Sequence, residues 1–149
     1  MVRSSLSRAT EGLPSTGILL VEDDPGQCKM VGGALAMAGC VVLEAGNPHE
    51  AEQYLASSVE IDILMTDIDL HSQLNGIHLV YLARHYRPQI PALVVSGRGP
   101  ELFDAQRFSS AEFLRKPFTR SSLISSVTRL IGNTAGFNVA AESAEVSHP

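Results

Sequence analysis

A chain of 149 residues has room for one ordinary domain, and 44% apolar against 18% charged residues excludes both a disordered polar tract and a membrane protein. The formal charge of −5 argues against a nucleic-acid binder that works by broad phosphate neutralisation, and no run approaches the roughly 18 apolar residues of a membrane span. Cys28 and Cys40 lack the spacing of a redox pair or a structural zinc site, and no apolar signal segment follows Arg3 and Arg8, so the chain reads as a cytoplasmic protein with two buried thiols.

Residues 1–16, rich in Ser, Thr and Arg, read as a flexible N-terminal arm, and the domain spans 17–132. Ile18 to Val21 is a continuous apolar run stopped by Glu22, Asp23, Asp24 and Pro25, the pattern of a strand buried on both faces. Gln27 to Ala38 has helical spacing at Met30, Val31, Ala34, Leu35 and Ala38; Gly32 and Gly33 weaken that helix by about 1 kcal/mol each, and Gly39 closes it. Cys40 to Leu43 predicts a second strand, Asn47 or Pro48 to Leu55 a helix, and Ile61 to Thr66 a third strand ending at Asp67. Gly76 to Tyr86 predicts a helix, Ile90 to Val95 a fourth strand stopped at Ser96 and Gly97, and Pro100 to Phe108 a short helix. Glu112 to Arg115 is the fifth strand and Ser121 to Ile131 the last helix, with 133–149 a flexible C-terminal tail.

Five repeats of strand then helix predict an α/β fold, a doubly wound five-stranded parallel sheet with helices on both faces. Ligands of such sheets bind beyond the carboxyl ends of the strands. There stand Glu22, Asp23 and Asp24 after strand one, Asp67 and Asp69 after strand three, Ser96 after strand four and Lys116 after strand five. Lysine is scarce: Lys29 and Lys116 are the only two. Carboxylates about 4 Å apart repel by roughly 1 kcal/mol in water and by more inside a protein. A hard divalent cation relieves that repulsion, and Mg2+ takes one or two carboxylates while leaving positions for water and phosphate oxygens. Taken singly, each acid reads as a helix cap or an exposed loop residue and Lys116 as a solvated cation. Together at one sheet edge they suit a metal and a phosphoryl group.

Four segments carry a more specific likeness: Ile18–Pro25 (ILLVEDDP), Asp62–Leu70 (DILMTDIDL) with Gly76, Ala92–Gly97 (ALVVSG) and Phe113–Phe118 (FLRKPF). In this order they resemble the receiver domain of two-component response regulators, a flavodoxin-like (βα)5 fold, over about Gly17 to Ile131. The resemblance implies that Asp67 accepts a phosphoryl group from a histidine kinase or histidine phosphotransfer protein. It implies that Asp23, Asp67 and the backbone carbonyl of Asp69 bind Mg2+, with Glu22 acting through water. It makes Ser96 the hydroxyl and Lys116 the ion-pairing lysine that meet the phosphoryl oxygens, and Ser96 with Phe113 the switch pair. The chemistry would be the chain's own phosphorylation and dephosphorylation, not that of an enzyme acting on other substrates.

Several departures from the common pattern stand out. The segment from Leu70 to Gly76 is one residue longer and lacks a proline, and Asp69 and Arg98 fill positions where the family varies; an ion pair across the mouth and two separately solvated charges are both open to them. The eighteen residues after Ile131 are too few for an output domain, which predicts a stand-alone receiver, a monomer or weak homodimer. Its output would be a surface for an unknown downstream protein, with Glu112, Arg115 and Arg120 as candidate contacts, and neither nucleic acid nor membrane as partner. Two other readings are open to the sequence. Asp67 and Asp69 resemble the acid pair of a haloacid dehalogenase-type phosphohydrolase, though His71 stands where that family has Thr or Val; the other is a binding-only receiver that is never phosphorylated.

Overall fold

A computed structural model describes residues 15–99, 103 and 108–135. In these the chain runs β1 (Gly17–Val21), α1 (Pro25–Met37), β2 (Val41–Ala45), α2 (Pro48–Ala56), β3 (Ile63–Asp67), α3 (Gly76–Tyr86), β4 (Ala92–Ser96), β5 (Ala111–Arg115) and α4 (Arg120–Ala135). The strands form one sheet in the order β2-β1-β3-β4-β5, every pair parallel. This is the expected doubly wound α/β architecture, with four helices described beside the five strands.

Every residue of β1, β3 and β4 is buried, which is why these strands are mostly apolar rather than alternating, with Thr66, Asp67 and Ser96 at the carboxyl ends as the polar exceptions. Successive side chains still part to opposite faces. Leu19, Val21, Leu64 and Val94 pack with Ala51 and Leu55 of α2 and with Leu79, Val80 and Ala83 of α3. Ile18, Leu20, Ile63, Met65, Leu93 and Val95 pack with Cys28 and Leu35 of α1 and with Leu123, Val127 and Leu130 of α4. Each Val, Leu, Ile and Met side chain among these contributes about 1.5–3 kcal/mol on burial, so the two layers clamp the centre of the sheet from both sides.

Differences from the sequence reading have local causes. Ile61 and Ile90 lie just before β3 and β4 rather than in them; they are buried in the connections, and an apolar run does not distinguish the two cases. β2 sits later than expected because its ladder with β1 runs from Gly17 opposite Val41 to Val21 opposite Ala45. The inward stripe of α1 is Cys28, Gly32 and Leu35, whereas Met30, expected on the core face, is 69% exposed. Gly32 lets the helix approach the sheet: a Cβ there would lie 2.9 Å from Glu44 Oε2 and 3.7 Å from Leu20 Cδ2. The last helix continues past the expected boundary at 132 to Ala135. The helix predicted from Pro100 to Phe108 lies, apart from Phe103 and Phe108, outside the described residues.

Helix starts follow their caps. Asp24 Oδ1 accepts from Gly26 N at 2.9 Å and Gln27 N at 3.3 Å, Asn47 caps α2 through Glu50 N, and Asn75 caps α3 through Ile77 N and His78 N. The ladder also continues past the strand ends. Glu22 N donates to Ala45 O at 3.1 Å, Ile68 N to Val95 O at 2.9 Å and Lys116 N to Ser96 O at 2.8 Å.

Candidate functional site

β1 and β3 are neighbours at the middle of the sheet, and the chain winds away from them in opposite directions, leaving a crevice beyond their carboxyl ends. A hollow of about 600 Å³ opens there, walled by Glu22, Asp23, Asp24, Asp67, Asp69 and Lys116 among others. All five acids and the lysine picked out at the strand ends therefore meet in one place. Ser96 is fully buried beside it, and the next residue, Gly97, forms part of the wall. Phe113 is half-buried and packs against the core cluster on the α2 and α3 side.

Asp67 is 8% exposed. Its Oδ2 accepts from Lys116 Nζ at 2.8 Å and its Oδ1 from Asp69 N at 3.1 Å. Gly76, the first residue of α3, comes so close behind that its N donates to Ile68 O at 2.8 Å. Glu22 Oε2 accepts from Asp24 N at 3.1 Å, and its Oε1 stands 3.6 Å from Lys116 Nζ. Asp23 Oδ2 lies 2.6 Å from His71 Nδ1, on a loop residue with φ of 50°. The carboxylate of Asp24 is occupied in capping α1, which separates its role from that of Asp23. Ser96 Oγ accepts from Arg98 N at 3.0 Å, and Lys116 is joined to Pro117 by a cis peptide bond.

Of the two arrangements open to Asp69 and Arg98 the structure has the ion pair: Arg98 Nη2 lies 2.6 Å from Asp69 Oδ1. With side chains 60% and 44% exposed, it contributes at most about 1 kcal/mol. Glu112 is taken up by Arg129, whose Nε and Nη2 both reach its carboxylate, while Arg115 and Arg120 are exposed.

Electrostatics follow from this packing. Burial pushes the Glu22 carboxyl above its usual range, with the Asp24 N–H and Lys116 pulling against it. For Lys116 burial pulls the other way, but its hydrogen bond to Asp67 and the charges of Asp67 and Glu22 outweigh it and hold the ammonium above the ordinary lysine value. His71 is raised by its hydrogen bond to Asp23 and by that residue's charge. Two acids, Asp67 and Glu22, thus flank one firmly protonated lysine. The donors at this edge, the carboxylates of Glu22, Asp23 and Asp67 and the carbonyl of Asp69, are all hard oxygens and suit Mg2+. Among the described residues no group of three His, Cys, Asp or Glu side chains is placed to hold a metal ion.

The residues of the sequence fit a known model. That model, the response regulator receiver domain, matches residues 18–128. The chain belongs to this family. Curated relatives include the transcriptional regulatory protein GlrR of Escherichia coli, 25% identical over 120 residues, and the nitrogen assimilation regulatory protein NtrX of Azorhizobium caulinodans, 27% identical over 110. The matches take in 79% and 72% of this chain but only 27% and 24% of the relatives, so the chain spans about a quarter of their length. Among solved structures, a response regulator receiver protein from Sinorhizobium medicae superposes with a TM-score of 0.73 at 27% identity, covering 79% of this chain and 95% of that one. The receiver domain of the hybrid histidine kinase CckA superposes at 0.66, also at 27% identity, covering 77% and 98%. These matches give no support to the haloacid dehalogenase reading. Among the described residues of this receiver no helix is long and apolar enough to cross a membrane.

Two residues at the site carried no usable signal in the sequence. Gln27 is a single polar residue at the start of a helix, and its Oε1 accepts from Lys116 Nζ at 3.0 Å across 89 positions. His71 lies in the lengthened loop, and only the fold brings it to Asp23, 48 positions away.

Proposed function

We propose that this receiver is a phosphoacceptor in which Asp67 takes a phosphoryl group from a histidine kinase or histidine phosphotransfer protein. The observation that carries the reading is the setting of Asp67, whose two oxygens are held by Lys116 and by the Asp69 N–H at the rim of an open acidic hollow. In the transfer an Asp67 oxygen forms a bond to phosphorus while the phosphorus–nitrogen bond to the donor imidazole breaks, the imidazole nitrogen keeping the electron pair. The product is a mixed anhydride that water cleaves, so the mark is temporary. A carboxylate is a weak nucleophile, and catalysis comes from its alignment and from positive charge facing the transferring oxygens. Lys116 supplies one such charge. Asp23, Asp67, the Asp69 carbonyl and, through water, Glu22 would hold Mg2+, which when bound neutralises further charge on those oxygens.

Ser96 and Phe113 form the switch in this reading: Ser96 leaves Arg98 N for a phosphoryl oxygen and Phe113 turns further into the core. The working unit is 17–132 together with the last turn of α4. It acts in the cytoplasm as a monomer or weak homodimer, through a downstream protein or by onward phosphotransfer, and its chemistry is confined to its own phosphorylation and dephosphorylation. Incubation with Mg2+ and acetyl phosphate should add one phosphoryl group, read by intact mass, and Asp67→Asn should add none. An unmodified wild-type chain would favour the binding-only reading, and continuous phosphate release from an external ester a hydrolase.

A further inference from the structure

Lys116 is held at more than one point. Its ammonium donates to Asp67 Oδ2 at 2.8 Å and to Gln27 Oε1 at 3.0 Å, and lies 3.6 Å from Glu22 Oε1, so its three protons have three oxygen neighbours. A lysine is a point charge on a flexible stem and does not aim itself. The stem here passes between two openings. One is the acidic hollow, and the other is an apolar groove of about 580 Å³ between α1 and α4, with Val31, Phe118 and Leu123 in its wall; Gln27 and Lys116 border both. Gln27 is in turn oriented from below, its backbone N bonded to the Asp24 cap and its Nε2 3.5 Å from Asp24 Oδ2, which presents Oε1 rather than the amide nitrogen to the lysine.

We propose that Gln27 is a positioning residue that keeps the Lys116 ammonium on Asp67 and so sets the rate of phosphoryl uptake. The proposal rests on Asp67 being the acceptor. Its neutral amide suits the task. A carboxylate at this point would draw the ammonium away from Asp67, and an apolar side chain would leave it free to swing out over the groove.

The chain has only two lysines, and Lys29 is exposed, so a lysine-labelled full chain offers one signal for the site and one internal reference. In wild type the Lys116 Nζ protons should be protected and visible by nitrogen-15 NMR. Gln27→Leu should remove that protection and Gln27→Glu should retain it at a shifted position, with Lys29 unmoved in both. Phosphorylation by acetyl phosphate should slow by about three- to tenfold in both variants, the loss of one charge-assisted contact, while Mg2+ affinity measured calorimetrically stays within about twofold of wild type. A wild-type Lys116 signal in Gln27→Leu would overturn the proposal, as would a wild-type rate in that variant. A wild-type chain that takes up no phosphoryl group would instead count against Asp67 as acceptor, leaving the NMR comparison to decide whether Gln27 holds the lysine.

Discussion

Replacing Gly76 by alanine tests how tightly the backbone behind Asp67 is packed. A Cβ at Gly76 would overlap Asp67 O and stand 2.8 Å from Asp67 C and 2.9 Å from Ile68 Cα, all of them main-chain atoms with no rotamer to yield. Helix propensity alone favours Gly76→Ala by about 1 kcal/mol, whereas forcing a methyl group into a filled space costs about 1–3 kcal/mol. Contact with backbone puts the cost at the upper end, so the net effect is destabilising by about 1–2 kcal/mol. Gly33 is the control. It is exposed on α1, and a Cβ there meets nothing within 4 Å, so Gly33→Ala should stabilise by about 0.5–1 kcal/mol. The same chemical change should therefore move stability in opposite directions at two helix positions, separating the variants by about 5–10 °C in melting temperature for a chain of this size. The chain contains no tryptophan, so urea and thermal unfolding are best followed by circular dichroism. Gly76→Ala should also slow phosphoryl uptake, because two of the three atoms that must shift belong to Asp67, the proposed acceptor. A Gly76→Ala protein as stable as wild type would refute the reasoning.

Asp23→Asn should weaken Mg2+ binding strongly in calorimetry, while Asp24→Asn should leave it near wild type, since Asn caps a helix as well as Asp does; equal losses would mean that the acidic triplet has been assigned in the wrong order. Ser96→Ala and Lys116→Ala proteins that still bind fluoroberyllate should lose most of the amide NMR shifts around Phe113 and along β5 and α4, and shifts of wild-type size in both would rule out the switch. Burial pushes the thiols of Cys28 and Cys40 up to about 11, whereas in the unfolded chain they ionise near 8.5, so their contribution is complete below about pH 8.5 and declines as pH rises toward 11. A Cys28→Ala, Cys40→Ala double variant should accordingly lose less stability than wild type between pH 8 and pH 10.5 in urea titrations; an unchanged pH slope would contradict this.

The parts of this fold legible in the sequence were those that a short window determines. Ile18–Val21 and Ile63–Met65 are apolar throughout because both faces of the central strands are covered, and acids stand at or just past the ends of those strands, where the sheet meets water. Three-dimensional packing decided the rest. Gly32 carries no apolar signature, yet its lack of a side chain is what lets α1 settle on β1 and β2, so a hydrophobic stripe drawn through Met30 misses the true inner face. The last helix, expected to end at Ile131, runs on through the buried Gly132. Gln27 and His71 acquire their places only through partners 89 and 48 positions away. Arg87 is similar: it donates to the carbonyls of Tyr54, Leu55 and Ser57, binding the end of α3 to the end of α2 in a way no local pattern announces.

Glu22, Ile68 and Lys116 follow their strands but still donate to a neighbouring strand. Parts of the chain that bear charge therefore inherit the stiffness of the sheet, whereas His71 to Leu74, a few positions further on, are exposed and spend their backbone on the turn. Substitutions and insertions in that outer loop can accumulate without disturbing the aim of Asp67 or Lys116. A foreign loop grafted between His71 and Asn75, which keeps His71 on Asp23, should therefore leave the charged edge of this receiver as it stands, and that is the engineering route the arrangement leaves open.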